Sequence, residues 1–342
     1  MNEVRFRFVS DLDVDRLRLA RREILGAVET ALRAQGEGDV VLEPRVHLIP
    51  PNDGKGHFNV LRGYVGSEGI CGVKIVGDFV ENYRLGLPSE VALVNLFDPE
   101  TGVPLGVVDG TMITSARTGA VTALGAKHLA RTDSKILGHV GARGTAWWNV
   151  TMLDDLFDFD EIRVTSKRPE SREEFARNLT EHLGKPVKAV TTAEEALVGA
   201  DIMVEASRLT KPEPLLKTEW VTPGTFVVPY GTISAVEISL TDVMDKVVVD
   251  DWGQAGAGRF GALRRHVDEG LLTRESLHAE LGDIVAGHAP GRERPDEKIL
   301  FWHRGLATTD VALAYLILCR AEEAGLGTVV ETGYGGNGSG GA

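Results

Sequence analysis

A glycine-rich turn in the middle of the chain has the residue types that bind a phosphate group. The segment Lys135–Thr145 has the sequence KILGHVGARGT, in which an apolar run leads into glycines and an apolar-periodic segment follows. This pattern predicts a strand, a tight turn and the start of a helix. A helix N-terminus presents unpaired N–H groups with partial positive charge, and glycines let a diphosphate approach that backbone. We therefore expect a dinucleotide to contact Gly141, Ala142, Arg143 and Gly144.

The spacing of this turn departs from the usual dinucleotide fingerprint. Its glycines at 138, 141 and 144 give G-x-x-G-x-x-G, and Arg143 stands at the second glycine of G-x-G-x-x-G if Gly141 is the first. The charge of Arg143 can pair with a diphosphate, or its side chain can clash with one. The alternative is that the glycines form a βα turn and bind no cofactor.

The end of the next predicted strand indicates which dinucleotide is bound. An acidic side chain at this place binds the ribose of NAD, whereas this chain has Thr165-Ser166-Lys167-Arg168. A hydroxyl and two cations suit a 2′-phosphate, so we predict that Ser166, Lys167 and Arg168 contact NADP, with NAD the less favoured cofactor. A solvated loop with two chance basic residues is the alternative.

Lys74 is a charged residue in a segment whose pattern predicts a buried strand. Its neighbours Val73, Ile75 and Val76 predict a buried strand, and a lysine in such a strand needs a reason. A lysine can pair with a carboxylate and can also donate a proton to a substrate.

Two different patterns surround these residues. Strand-like and helix-like segments alternate over residues 136–250, which predicts a parallel sheet with crossover helices. Ahead of them, a strand over residues 4–8, a helix over about 15–34 and several short strands separated by turns predict a small antiparallel α+β unit. Further helices are predicted over 275–286 and 309–325.

Composition excludes several classes of partner. The chain has 342 residues and a net charge of −13, which argues against a nucleic-acid or anionic-membrane surface. Cys71 and Cys319 are far apart, so neither a disulfide framework nor a metal site is expected. The first residues, MNEVRFRFVSDLD, contain no long apolar stretch, and nowhere in the sequence do about 18 apolar residues run together. We expect a cytoplasmic protein without a metal.

Several short motifs ahead of the glycine turn occur in an order that resembles a known family. The motifs are Glu43-Pro44-Arg45, Gly72-Val73-Lys74, Gly86-Leu87-Pro88-Ser89 and Thr114-Ser115-Ala116-Arg117-Thr118-Gly119-Ala120. In this order they resemble the ornithine cyclodeaminase/μ-crystallin family, and the resemblance covers nearly the whole chain. Residues 247–254, 277–282 and 325–328 resemble the branch that oxidises N-(2-amino-2-carboxyethyl)glutamate.

The resemblance implies an α/β fold with a Rossmann-type parallel-sheet domain inserted in an α+β substrate and dimerisation domain. The expected boundaries are 1–116 plus 308–332 for the substrate and dimerisation domain and 117–307 for the Rossmann domain. Residues 333–342, almost all glycine, serine and asparagine, are expected to form a flexible tail. The expected assembly is a homodimer, as is common for short sheets with an apolar face.

The resemblance also implies the site. Arg45, Lys74 and Arg117 would surround the carboxylate of a small amino-acid-like substrate, with Lys74 as proton donor; singly, each would more often be a surface cation. Asn59 would lie in the substrate site. The remaining predicted cofactor contacts are Thr114, Thr118 and Ser207, although a helix cap or a packed hydroxyl is an equally good interpretation of the two threonines.

Departures from the family pattern decide among its activities. The cyclodeaminases have an acid/base aspartate two residues beyond the glycine corresponding to Gly231, where this chain has Ile233. Asn59 stands in the stretch where the family places a glutamate on the distal amine of ornithine. We therefore expect an NADP-linked imine reductase or amino-acid dehydrogenase. The alternatives are a cyclodeaminase-type lyase and a non-catalytic NADP-binding carrier like μ-crystallin.

Overall fold

The computed structural model of this protein describes residues 3–209, 211–231, 233–257 and 260–333. Its strands, in chain order, are β1 (Glu3–Val9), β2 (Val40–Leu42), β3 (Val46–Leu48), β4 (His57–Val65), β5 (Ile70–Asp78), β6 (Glu90–Phe97), β7 (Pro104–Asp109), β8 (Ile136–Val140), β9 (Glu161–Thr165), β10 (Val187–Ala189), β11 (Ile202–Glu205), β12 (Phe226–Pro229), β13 (Lys246–Val249), β14 (Ala279–Glu280), β15 (Ile299–Trp302) and β16 (Thr328–Gly333). Its helices are α1 (Asp11–Leu17), α2 (Arg21–Gly36), α3 (Thr111–Leu129), α4 (Ala146–Phe157), α5 (Pro169–Leu183), α6 (Ala193–Leu197), α7 (Trp252–Ala257), α8 (Arg264–Asp268), α9 (Leu281–Ala286) and α10 (Ala307–Glu323).

The chain packs as two compact units. The described residues of 1–31, 39–114 and 307–342 form the first unit, and those of 32–38 and 115–306 form the second. Most of the second unit, residues 115–306, is therefore inserted, in chain order, between two parts of the first.

The sheet of the first unit has the strand order β16-β1-β7-β6-β5-β4-β2, with β3 also paired to β4. Neighbouring strands are antiparallel except β1 and β7, which are parallel, so the predicted antiparallel unit has one parallel pair. Helix α10 packs on one face of the sheet. A Cβ at Gly72 on β5 would stand 2.5 Å from a methyl carbon of Val311, so glycine at this position lets the helix approach the strand.

The sheet of the second unit is parallel throughout, with the order β10-β9-β8-β11-β12-β15-β13-β14. Its first strand in the chain, β8, lies between β9 and β11. The strand order thus reverses at β8, as in Rossmann folds, and ligands of such folds bind at the carboxyl ends of the strands near this point. The predicted fold class is confirmed. One face of the sheet carries an apolar core that includes Met203, Val227 and Trp302.

Several predicted element boundaries are wrong. The helix expected over 15–34 is two helices, because α1 ends at Arg18, which has a left-handed φ of 47°. Residues 275–286 contain part of a 3₁₀ turn (Arg274–Ser276), β14 and α9. Of the expected flexible tail, Gly333 belongs to β16, and residues 334–342 lie outside the described part of the chain.

Candidate active site

The glycine turn lies at the carboxyl end of β8, as predicted. Gly141 has a φ of +119°, and a Cβ at this position would stand 2.9 Å from the carbonyl oxygen of Ala206. Glycine is therefore required here for both conformation and space. Ala142 is half-buried, whereas Arg143 and Gly144 are exposed just ahead of α4. The turn brings open backbone to the N-terminus of a 12-residue helix, which suits a diphosphate.

The residues predicted to select NADP follow β9. Ser166 Oγ donates to the carbonyl oxygen of Arg168 at 3.1 Å, and the side chains of Lys167 and Arg168 are exposed. The Gly141 N–H donates to Thr165 O at 2.8 Å, so the glycine turn adjoins this strand end. A hydroxyl and two accessible cations thus stand where an adenosine ribose lies in Rossmann folds.

Ser207 follows β11 and has a neighbour that sequence reasoning missed. The Ser207 N–H donates to Glu205 Oε1 at 2.7 Å. Ser207 Oγ and Glu205 Oε2 are both buried beside this bond. Burial raises the pKa of Glu205 to about 7. A carboxyl group that is half ionised near neutrality therefore lies at the switch point of the sheet.

Lys74 lies in the first unit, on the face of β5 that α10 covers. Its side chain is 1% exposed, and its Nζ donates to Asp310 Oδ1 on α10 at 2.8 Å. The carboxylate offsets much of the cost of burying the ammonium group, since an isolated buried charge is strongly disfavoured. Lys74 is thus a buried cation with a fixed counterion, which explains a lysine in an apolar strand.

Asn59 is on the same face of this sheet as Lys74. Asn59 on β4 pairs with Val76 on β5, and Leu61 pairs with Lys74 two residues further along. Side chains two residues apart on a strand share a face. Asn59 Oδ1 is buried and has no hydrogen-bond partner among the described residues. Arg45, between β2 and β3, is half-buried.

Arg117 lies on α3 in the second unit and is 7% exposed. Gly305, with a φ of +85°, adjoins its guanidinium group, and any side chain at Gly305 would overlap it. Thr118 is buried on the same helix. Thr114 is also buried, and its Oγ1 donates to Gly110 O at 2.8 Å, which is the packed hydroxyl of the alternative interpretation.

A cluster of polar side chains at the strand ends of the second unit was not predicted. The Tyr230 hydroxyl, after β12, is 2.5 Å from Thr145 Oγ1 and also contacts Asn149 Nδ2. The Tyr230 ring stacks on His303, after β15, with centroids 4.6 Å apart. His303 Nε2 is 3.0 Å from Thr122 Oγ1. Burial, aided by the charge of Arg117, lowers the pKa of His303 to about 3, so this imidazole is neutral.

Three comparisons with known proteins bear on this site. Residues 6–325 match the model of the ornithine cyclodeaminase/mu-crystallin family. The chain belongs to this family.

Relatives within the family are similar over most of their length. Alanine dehydrogenase of Archaeoglobus fulgidus is 33% identical over 90% of this chain and 93% of its own. N-((2S)-2-amino-2-carboxyethyl)-L-glutamate dehydrogenase of Staphylococcus aureus is 29% identical over 89% of this chain and 92% of its own. The structure of Thermococcus litoralis Δ1-pyrroline-2-carboxylate reductase with NADH and L-proline has a TM-score of 0.88 and 31% identity, covering 94% of this chain and 99% of that one.

Two positions set this member of the ornithine cyclodeaminase/mu-crystallin family apart from the pattern expected of its cyclodeaminases. Ile233, at the place expected for an aspartate, is an apolar residue and can neither accept nor donate a proton. Asn59 carries no charge for an ω-amino group.

In the described residues, no group of three or more His, Cys, Asp or Glu side chains could hold a metal ion. None of the helices described is long and apolar enough to cross a membrane.

The residues that sequence reasoning missed share one signal. Glu205, Tyr230 and His303 each close an apolar run or directly follow one, and parallel strands deliver their carboxyl ends to the same edge of a sheet. A polar residue at the end of an apolar run could have been noted for that reason. The partners Thr145, Asn149 and Thr122 could not, because they come from helices distant in sequence.

Proposed function

We propose that this protein reduces the C=N bond of a small α-imino acid with NADPH, or oxidises the corresponding amino acid in reverse. At the coarser level, the protein is an NAD(P)-dependent oxidoreductase of the ornithine cyclodeaminase family that acts on a C–N bond of an amino-acid-like substrate. To this statement we add the choice of NADP as cofactor, Lys74 as the proton donor and an α-imino acid as the substrate.

The observation that carries the proposal is the buried Lys74–Asp310 pair. Reduction of an imine adds a hydride to carbon and a proton to nitrogen. The ammonium of Lys74 is the group in the first unit that we propose as proton donor, because the bond to Asp310 fixes the position of its Nζ. Positioned acids of this kind contribute about 10²- to 10⁴-fold in rate.

Residues of this chain fit a nicotinamide dinucleotide. The backbone of the glycine turn ahead of α4 suits a diphosphate, the hydroxyl and cations at 166–168 suit a 2′-phosphate, and the buried Ser207 hydroxyl suits a polar nicotinamide-side group. The bound cofactor would supply the hydride to the imine carbon. Preference for NADP over NAD rests on the absence of an acidic side chain over 165–168.

We propose that Arg45 and Arg117 bind the substrate carboxylate. The fork of an arginine matches a carboxylate in two hydrogen bonds, and fixing the carboxylate fixes the imine carbon beside it. Asn59, with its unpartnered buried carbonyl oxygen, would accept a hydrogen bond from the substrate. The first unit would then be the substrate domain and the second the dinucleotide domain.

Cyclodeamination of ornithine is the second candidate, and the site argues against it. Cyclodeamination would use two carboxylates, and this chain has Ile233 and Asn59 where they are expected. In a carrier without catalysis, Lys74 would be only the structural partner of Asp310, and turnover of an imine distinguishes that role from the proposed one.

We also propose a homodimer that forms through the face of the first sheet opposite α10. Val46, Val60, Ile75 and Leu93 lie side by side across four strands, and three of them are 43–47% exposed. An exposed apolar row of this kind marks an association surface.

Because both cysteines are free thiols, we propose a reducing compartment, the cytoplasm.

Isotope transfer tests the reaction. NADPH carrying deuterium at the transferable C4 position is incubated with Δ1-pyrroline-2-carboxylate, or with pyruvate and ammonia, and the amino acid is analysed by mass spectrometry. We expect one deuterium at the α-carbon of proline or alanine. Unlabelled amino acid, or no amino acid from any imine tested, would contradict the proposal.

A further inference from the structure

A directed chain of hydrogen bonds links the end of β12 to the glycine turn. It begins at the Tyr230 hydroxyl, which contacts Thr145 Oγ1 at 2.5 Å and the side-chain amide of Asn149. Asn149 Nδ2 also lies 3.5 Å from His139 Nε2, and His139 Nδ1 lies 2.9 Å from Gly141 O. All of these groups belong to the second unit.

The chemistry of each atom fixes the direction of these bonds. Gly141 O can only accept, so His139 Nδ1 carries the proton and donates it. His139 is fully buried, and burial lowers its pKa to about 4, so the ring has one proton and Nε2 accepts from Asn149. The Asn149 amide has two donors, and the second reaches Tyr230. The tyrosine O–H is then left to donate to Thr145.

The position of Thr145 connects this chain of hydrogen bonds to the start of α4. Thr145 is the residue before α4, where a threonine hydroxyl usually caps the helix, yet it makes no capping bond and contacts Tyr230 instead. Both ends of the turn are therefore held by side chains: Gly141 by His139, and Thr145 by Tyr230. Between them stands Arg143, at the place of the second glycine of the usual fingerprint.

We propose that Tyr230 is a positioning residue, which acts through Thr145 and Asn149 to hold the glycine turn and the start of α4 in the shape that binds a dinucleotide diphosphate. The inference rests on the proposed function, because it takes the turn as the diphosphate site. It gives Tyr230 a role at the diphosphate although the residue lies at the end of β12, on the nicotinamide side of a Rossmann sheet. The hydroxyl, rather than the ring, carries the effect.

Two ligands separate this role from a contact with nicotinamide. NADPH contains the whole cofactor, whereas 2′-phospho-ADP-ribose contains the diphosphate and adenosine without nicotinamide. Tyr230→Phe removes the hydroxyl and keeps the ring that stacks on His303. We expect the dissociation constants of both ligands to rise by the same factor, about five- to tenfold, as for the loss of one hydrogen bond. Unchanged binding of 2′-phospho-ADP-ribose by Tyr230→Phe would overturn the inference.

Thr145 supplies a second and independent test. Thr145→Val should weaken both ligands by the same factor as each other and by no more than Tyr230→Phe does, because it removes the bond to Thr145 and leaves the one to Asn149. The double variant should be no weaker than Tyr230→Phe, because the Tyr230–Thr145 bond can be lost only once. Thr145→Ser keeps the hydroxyl and should bind like the wild type. If Tyr230→Phe fails to fold, the comparison of Thr145→Val with Thr145→Ser decides. Losses that multiply in the double variant would contradict the inference.

A matched control is Tyr83→Phe, since the Tyr83 hydroxyl accepts from Arg84 on the surface of the first unit. It should leave both dissociation constants unchanged.

Failure of the proposed function is distinguishable from failure of this inference. Wild-type protein that binds neither 2′-phospho-ADP-ribose nor ADP-ribose would overturn the proposed function and this inference with it, whereas tight binding that Tyr230→Phe leaves intact would overturn the inference alone.

Discussion

At the scale of single residues, the account depends most on Lys74. Lys74→Ala removes the proposed acid, and we expect turnover of an α-imino acid to fall by about 10²-fold or more. NADPH binding, measured by fluorescence titration, should persist and shows that the second unit is folded; an unchanged circular dichroism spectrum and a cooperative urea transition show the same for the whole chain. Lys188→Ala is the control, because Lys188 is an exposed partner of Glu161. Full activity in Lys74→Ala would mean that another group donates the proton.

Cofactor choice is a prediction about the residue that follows β9. We expect the wild-type protein to bind NADPH more tightly than NADH, and Ser166→Asp to shift the preference toward NADH, because a carboxylate accepts from a ribose hydroxyl and repels a 2′-phosphate. Dissociation constants for both cofactors measure the shift. Equal or reversed constants in the wild type would refute the assignment of residues 166–168.

Glu205 makes the stability of the second unit depend on pH. Its pKa is raised to about 7 in the folded protein, so its contribution to stability is fully present below the unfolded value of about 4.5 and is lost as the pH rises through 7. The loss is on the order of 3 kcal/mol. Glu205→Gln keeps an acceptor for Ser207 and has no charge to bury, so it should stabilise the protein at pH 8 more than at pH 5.

Urea unfolding followed by tryptophan fluorescence measures this effect, since all five tryptophans lie in the second unit. Glu219→Gln, at an exposed site, is the control. The same pH dependence in Glu205→Gln and wild type would show that Glu205 titrates normally.

The sequence predicted some of these residues and not others for a physical reason. Lys74 was found because a lysine among valines and isoleucines stands out without knowledge of its partner. Asp310, which makes the lysine tolerable, is 236 residues away, and apolar periodicity does not reveal such a pair. Tyr230 and His303 were missed because their roles depend on strands that become neighbours only in the folded sheet.

At the scale of elements, the strands and helices around the glycine turn were predicted well because their patterns are local. The two failures have different causes. Residues 15–34 keep a helical apolar period, yet Arg18 takes a left-handed conformation without a glycine or proline to signal it. In 275–286, a two-residue strand pairs with β13, and such a pairing depends on tertiary structure.

The exposed face of the first sheet carries a prediction about assembly. Leu93→Lys places a charge at the β6 end of the apolar row, and we expect the proposed homodimer to dissociate because an unpaired charge is disfavoured in an apolar interface. Light scattering at micromolar concentration measures the mass. Leu156→Lys on α4, at a residue of similar exposure in the second unit, is the control. A monomeric wild type would contradict the dimer.

At the scale of the whole molecule, the order of strands and helices was enough to predict a parallel sheet with crossover helices, and the family resemblance added its insertion in a second, α+β domain. The reaction was not, because relatives with one fold catalyse several reactions on carbon–nitrogen bonds. What distinguishes this chain is the combination of a buried lysine with its counterion and two missing carboxylates. That combination favours a proton donor to an imine over deamination of a diamine.

The most direct test of this claim measures both reactions with one preparation. The rate of NADPH oxidation with Δ1-pyrroline-2-carboxylate is compared with the rates of proline and ammonia formation from ornithine in the presence of NAD. We expect NADPH oxidation in step with proline formation from the imino acid, and little or no ammonia from ornithine. Substantial proline and ammonia from ornithine, with no reduction of any α-imino acid, would contradict the account.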